Sequence, residues 1–91
     1  METQQDGSLS IVPIHPAAVP PGRDLELWSL AEGAKIPKPL GVLPSSGIRL
    51  TADRLPPGRA QILVSLEPKG GSPSGQPTGP VLYGAALVRP E

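Results

Sequence analysis

The sequence predicts an all-β domain. Three observations carry that prediction. The Leu, Ile and Val residues fall in short runs separated by turn signals. Pro 14 and Gly 11 among 91 residues supply turn-forming positions throughout. Ile48, Leu50 and Ala52 alternate with Arg49, Thr51 and Asp53, the period of a strand with one buried face.

The elements follow in order. Met1 to Gly7 is polar and expected to be disordered or added for expression, so the β domain is placed at residues 8–91. Ser8 to Ile14 is a β-branched run broken by Pro13, which suggests an edge strand or a strand end. His15 to Arg23 is a proline-rich connector. Asp24 to Leu30 reads as a strand. Leu25 and Leu27 share one face while Trp28 and Leu30 share the other, so the strand is bulged or buried on both sides. Asp24 to Ala34 is the nearest helical candidate, but its apolar run is too short and alternates.

Ala31 to Lys38 is a polar loop in which Lys35 and Lys38 are solvated. Leu40 to Leu43 and Ile48 to Ala52 read as the arms of a hairpin turning at Pro44-Ser45-Ser46-Gly47. In Leu55-Pro56-Pro57-Gly58 the Pro-Gly pair suits the centre of a type II turn. Ala60 to Glu67 is a strand with Ile62, Val64 and Leu66 on one face. Glu67 to Pro80 is a long Gly/Pro connection, and Val81 to Arg89 is the last strand.

These strands and their spacing predict a small sandwich of immunoglobulin-like character, with about six or seven strands. The expected core is Leu25, Leu27 or Trp28, Leu40, Val42, Ile48, Leu50, Ile62, Val64, Leu66, Leu82 and Leu87. Val19-Pro20-Pro21-Gly22-Arg23 followed by Leu27, Ser29 and Leu30 recurs as Leu55-Pro56-Pro57-Gly58-Arg59 followed by Leu63, Ser65 and Leu66. The echo reads as one turn device used twice rather than a duplicated binding unit, since repeat folds need three or more units to close a core.

Composition excludes several functions. The net charge is zero, so the disorder signature of high charge is missing and no basic stripe exists for nucleic acid. Trp28 and Tyr83 are the only aromatics, too few for a base-stacking platform. There are no cysteines for disulfides or thiolate sites, and His15 is the sole histidine. As a general base His15 would need a nucleophile within reach; an exposed loop histidine is the better reading. The carboxylates Glu2, Asp6, Asp24, Glu26, Glu32, Asp53, Glu67 and Glu91 are scattered, and nothing nominates a catalytic pair.

Gly70-Gly71 lacks the Lys-Ser/Thr ending of a phosphate loop and leads into a strand. Gln76-Pro77-Thr78-Gly79-Pro80 could serve a polyproline-binding partner, but its glycine breaks that helix. Trp28 could be an exposed anchor; within a leucine-rich strand it reads as core. Met1 to Asp6 has no signal-peptide character, and Val81 to Val88 is far too short to span a membrane. The chain is therefore expected to be soluble as it stands, without catalytic residues, cofactor or metal.

Several segments in succession resemble one family. They are Leu25-Glu26-Leu27-Trp28, Leu40-Gly41-Val42-Leu43, Leu55-Pro56-Pro57-Gly58, Val64-Ser65-Leu66-Glu67-Pro68-Lys69-Gly70-Gly71-Ser72-Pro73 and Pro77-Thr78-Gly79-Pro80-Val81. Together they resemble the C-terminal, extracytoplasmic domain of anti-sigma-K factors, over roughly Leu9 to Val88. The most specific part is the loop motif: Glu67, Pro68, Gly70, Gly71, Ser72 and Pro73, then Pro77, Thr78, Gly79 and Pro80.

The resemblance implies the outer domain of a bacterial, membrane-anchored regulator of an alternative sigma factor. Such a regulator is released by staged proteolysis, first outside and then within the membrane. It implies no enzyme activity and no cofactor. An extracytoplasmic protease or signal protein is the implied partner, and the motif loop its point of contact or a cover for the sheet edge. The sigma factor would be met only through a cytoplasmic domain, and the membrane only through a transmembrane helix; this chain shows neither. An excised outer domain is therefore expected, with a free-standing relative as the other option. A stand-alone cell-envelope module for a peptide or sugar is the competing reading; it needs Trp28 and Tyr83 exposed side by side.

Overall fold

The computed structural model describes residues 2–3, 7–12, 19–44, 46–56 and 58–89, with the backbone alone for 2–3 and 87–89. The strands are β1 (Glu2–Thr3), β2 (Leu9–Ile11), β3 (Arg23–Ala31), β4 (Lys38–Leu43), β5 (Ile48–Leu50), β6 (Gly58–Pro68) and β7 (Val81–Arg89). A 3-10 turn, Ala52–Arg54, follows β5. The strands form an all-β sandwich of two antiparallel sheets, ordered β1-β2-β5 and β4-β3-β6-β7.

The spine of the larger sheet is the β3–β6 pair, in register from Arg23 opposite Pro68 to Ala31 opposite Ala60. A Pro-Gly turn leads into β3, and a glycine of positive φ opens β6. Arg23 N–H donates to the Pro20 carbonyl at 3.2 Å, and Gly22 takes φ +77°. Gly58 takes φ +73°. A type II turn needs positive φ at its third residue, which glycine adopts without steric cost. Pro57 lies outside the described residues.

Alternation along β3 sends Leu25 and Leu27 inward. They join Leu40 and Leu43 of β4, Ile62 and Val64 of β6, Leu9 and Ile11 of β2, Leu50 of β5, and Leu55 in one apolar cluster. Ile48 and Leu66 pack against it. Each fully buried leucine contributes roughly 1.5–3 kcal/mol. The same alternation sends Asp24, Glu26 and Trp28 to the opposite face, where Trp28 is also fully buried. Leu27 and Trp28 are thus both interior, on opposite sides of β3. The register against β4 also shifts between them, so the strand is bulged as well as doubly buried.

Several expectations need correction. The turn at residues 44–47 forms, with Gly47 N–H donating to the Pro44 carbonyl at 2.9 Å. It does not close a hairpin: β4 pairs with β3, whereas β5 pairs with β2. The turn carries the chain from one sheet to the other, letting Leu43 and Leu50 enter the same core from opposite layers. Alternation alone is identical for a hairpin and for such a crossing.

Leu82 is not core. It is 47% exposed, beside exposed Val81 and Tyr83, because among the described strands β7 pairs only with β6 and no described β7 side chain reaches the apolar cluster. Leu87 and His15 lie outside the described side chains. Val42 is half-buried on the outer face, opposite Glu26. β2 ends at Ile11 and lies between β1 and β5, so it is not an edge strand; Pro13 lies outside the described residues. Glu2–Thr3, in the stretch expected to be disordered, pairs with β2.

Candidate functional site

The motif loop folds back over the outer face of the larger sheet. Its fastening begins with β3 and β6. Their register sets Asp24 opposite Glu67 and Glu26 opposite Ser65 on that face. Like charges directly opposite destabilise a sheet, so these carboxylates need donors. The loop between β6 and β7 provides them.

Gly71 N–H donates to the Pro68 carbonyl at 2.9 Å, closing a tight turn with Gly70 at φ +90°. That turn aims Gly70 N–H at Asp24 Oδ2, 2.8 Å away. Ser72 N–H donates to Glu26 Oε1 at 2.6 Å. Gly71 lies so close to this face that a Cβ would sit 3.0 Å from Glu26 Oε1 and 3.4 Å from a Val42 methyl.

The loop tip is bonded within itself. The Ser72 and Ser74 hydroxyls both donate to the Gln76 carbonyl, and Ser74 N–H donates to Ser72 Oγ. Pro73 is exposed there, while Pro77 is half-buried where the chain returns.

Glu67 is the hub of the returning arm. It is fully buried. Oε1 accepts the Thr78 hydroxyl at 2.6 Å and Oε2 accepts the Ser65 hydroxyl at 2.5 Å. Thr78 N–H reaches both oxygens at 3.2 Å, and Gly79 N–H reaches Oε2 at 3.3 Å. Ser65 in turn accepts Trp28 Nε1–H at 2.8 Å. Burial pushes the Glu67 pKa up, but the Ser65 and Thr78 hydroxyls and the two backbone N–H groups outweigh it. The carboxyl therefore titrates below its ordinary value.

Two further contacts lock the ends. Leu66 N–H donates to the Pro80 carbonyl at 3.0 Å, and Lys69 N–H to the Gly22 carbonyl at 3.1 Å. Gly79 passes against β6 so closely that a Cβ would fall 1.7 Å from the Leu66 carbonyl oxygen. No side chain fits there.

The structure therefore brings the predicted motif residues together as a clasp and gives most of them a stated part. Its first arm, Gly70 to Ser72, lies across the sheet face, while Gly79 and Pro80 of the returning arm run against β6 at Leu66. Asp24, Glu26, Ser65 and Trp28 belong to it as well, and sequence reading did not join them. Their available signal was the Asp24, Glu26, Trp28 alternation opposite the Leu25, Leu27 face. Among the described residues no group of three or more His, Asp and Glu is placed to hold a metal ion. The hydroxyls of Ser65 and Thr78 are engaged by Glu67, so the buried cluster serves the loop rather than presenting a reactive group.

No curated protein and no solved structure matches the chain. The family model described as anti-sigma-K factor RskA, C-terminal, matches residues 1–81, which takes in the two central strands and the entire clasped loop. The chain belongs to the anti-sigma-K factor C-terminal domain family.

Proposed function

We propose that this domain is the extracytoplasmic, protease-guarding part of a membrane-anchored anti-sigma factor that restrains an alternative, extracytoplasmic-function sigma factor until it is cleaved. Family membership supports the anti-sigma assignment. The observation that carries the guarding role is the clasp. The longest connection in the domain is held down by backbone N–H groups on Asp24, Glu26 and Glu67. Proteases cleave segments that open locally, and opening is suppressed where backbone groups are bonded and buried. In this reading the domain is not an enzyme, and its partner is an extracytoplasmic protease or the signal protein that unfastens the loop. Among the described residues no helix is long and apolar enough to cross a membrane; the anchor of this reading is another segment.

The envelope-module reading needs an aromatic pair on the surface. Trp28 is fully buried while Tyr83 is 60% exposed, so that platform is not formed.

The test is made in the full-length parent. Gly79→Ala and Glu67→Gln unfasten the loop, and Pro73→Ala at the exposed tip is the control. Outer-site cleavage is read by immunoblot and sigma-factor output by a reporter. Both should rise without inducer in the first two variants and stay at the wild-type level in the control. Unchanged cleavage and output in loop-opened variants would end the guarding proposal.

A further inference from the structure

The clasp fastens more than its own loop. Its returning arm runs straight into β7. Thr78 and Gly79 N–H sit on Glu67, Leu66 N–H holds the Pro80 carbonyl at 3.0 Å, and Val81 opens the strand. Beyond that point little besides backbone holds β7. Among the described strands it pairs only with β6, and the pairing is interrupted between Val64 and Ser65, at Leu82. Val81, Leu82 and Tyr83 are 50%, 47% and 60% exposed. Gly84 and Ala86 are exposed and Ala85 is half-buried. No described β7 side chain joins the apolar cluster. Glycine and alanine at these positions pack little and favour a strand weakly. β6 is held differently: β3 pairs with it from Arg23 opposite Pro68 to Ala31 opposite Ala60, and its Ile62 and Val64 are in the core.

We propose that β7 is a releasable strand held shut by the clasp. When residues 78–80 leave Glu67 and Leu66, Val81–Arg89 peels from β6 while β4, β3 and β6 stay folded over the core. On the guarding reading above, on which this step rests, the freed strand is also the segment that the protease takes. An extended segment is recognised through main-chain hydrogen bonds, with pockets for alternate side chains. The loop is ill suited to that, because prolines 68, 73, 77 and 80 remove N–H donors and fix φ. Residues 81–88 contain no proline and no charge, and Gly84-Ala85-Ala86 suits an enzyme with a small primary pocket. The step is hydrolysis: the amide C–N bond breaks, the hydroxyl of water joins the carbonyl carbon, and a proton goes to the departing nitrogen. The loop is then the lock and β7 the substrate.

Native-state hydrogen exchange of the 91-residue chain tests the release. In wild type, β7 amides should exchange by local opening, at least about tenfold faster than those of residues 25–30 and with little dependence on low urea, whereas β3 amides follow global unfolding. Thr78→Val keeps the side-chain shape and removes the 2.6 Å hydroxyl bond to Glu67. It should speed β7 exchange by about tenfold and β3 exchange by less, while Pro73→Ala at the exposed tip changes neither. Elastase is the probe protease, with cuts located by mass spectrometry. Its first cut in residues 67–89 should fall within residues 81–88, and come sooner in Thr78→Val. The proposal is overturned if β7 and β3 exchange together with the same urea dependence, if Thr78→Val accelerates both strands equally, or if the first cut falls within residues 69–79. Any of these results, found with raised outer-site cleavage in clasp variants of the full-length parent, leaves the guarding role standing. Released β7 with unchanged cleavage in the parent defeats the guarding role and leaves the release standing.

Discussion

Gly79→Ala is the sharpest perturbation of the clasp. An alanine Cβ would lie 1.7 Å from the Leu66 carbonyl oxygen, and Cβ contacts under 3.0 Å do not persist, so the chain must move by more than an ångström. The obstacle is backbone of β6 and cannot swing aside. The movement has to be taken by the loop, where it breaks the Gly79 and Thr78 N–H bonds to Glu67 and the Leu66–Pro80 bond. Hydrogen bonds to a charged group contribute roughly 1.5–3 kcal/mol each, and stripping partners from a buried charge costs about 3–5 kcal/mol in total. A domain of this size holds roughly 5–14 kcal/mol. The expected fall in Tm is therefore roughly 15–30 °C. Thermal and urea unfolding can be followed by emission of Trp28, the sole tryptophan, which is linked to Glu67 through Ser65. Gly75→Ala is the control: Gly75 also has positive φ, but nothing lies within 4 Å of its added Cβ, so it should cost only about 1–2 kcal/mol. If Gly79→Ala melts within about 2 °C of wild type and keeps its Thr78 amide protected from exchange, the clasp geometry is wrong.

Acid should open the same site. Folded Glu67 binds its proton more weakly than the unfolded chain does, so its contribution is fully present above the ordinary value of 4.5 and is lost as pH falls below it. Urea midpoints from pH 7 to pH 2.5 should show that loss in wild type, and a smaller one in Glu67→Gln. Ser65→Ala leaves buried Trp28 Nε1 and one Glu67 oxygen short of a partner and should cost about 1–3 kcal/mol. Pairing it with Trp28→Phe should cost less than the sum of the two in a double-mutant cycle. Gly47→Ala meets the Ile11 carbonyl and a Val12 methyl at 2.7 Å with φ +89°, so it should destabilise by about 2–4 kcal/mol in urea. A cost below about 1 kcal/mol would show that the crossing between sheets is not tightly fixed.

What sequence reading captured is what local chemistry determines. The Ile62, Val64, Leu66 alternation places β6, and the Pro20-Pro21-Gly22-Arg23 turn places the start of β3. The Leu27–Trp28 change of face is the observed bulge on a doubly buried strand. What it missed depends on partners far apart in the chain. Nothing local distinguishes a hairpin at residues 44–47 from a crossing between layers. Leu82 looks like core because it is apolar and lies in a strand, but coverage is decided by how far the three short strands of the smaller sheet extend. Leu9, Ile11 and Leu55 enter the core from segments too short to show a period. The motif loop was legible as a shaped connection, but not as a clasp. Its acceptors Asp24 and Glu26 lie 46 residues from the N–H groups they receive.

The clasp is also a cooperative device. The sheet could have carried apolar residues on its outer face and buried them under the loop at less electrostatic cost. It carries Asp24 opposite Glu67 instead, two carboxylates that disfavour each other unless donors intervene. Prolines 68, 73, 77 and 80 remove N–H groups from the loop, while Gly70, Ser72, Thr78 and Gly79 supply the ones that meet the carboxylates. Loop and face therefore stabilise each other only together. Detaching one arm restores repulsion beneath it and weakens the hold on the other, so the segment opens as a unit instead of fraying residue by residue. A connection with that property stays shut under ordinary fluctuation and still yields completely to a single disruptive contact.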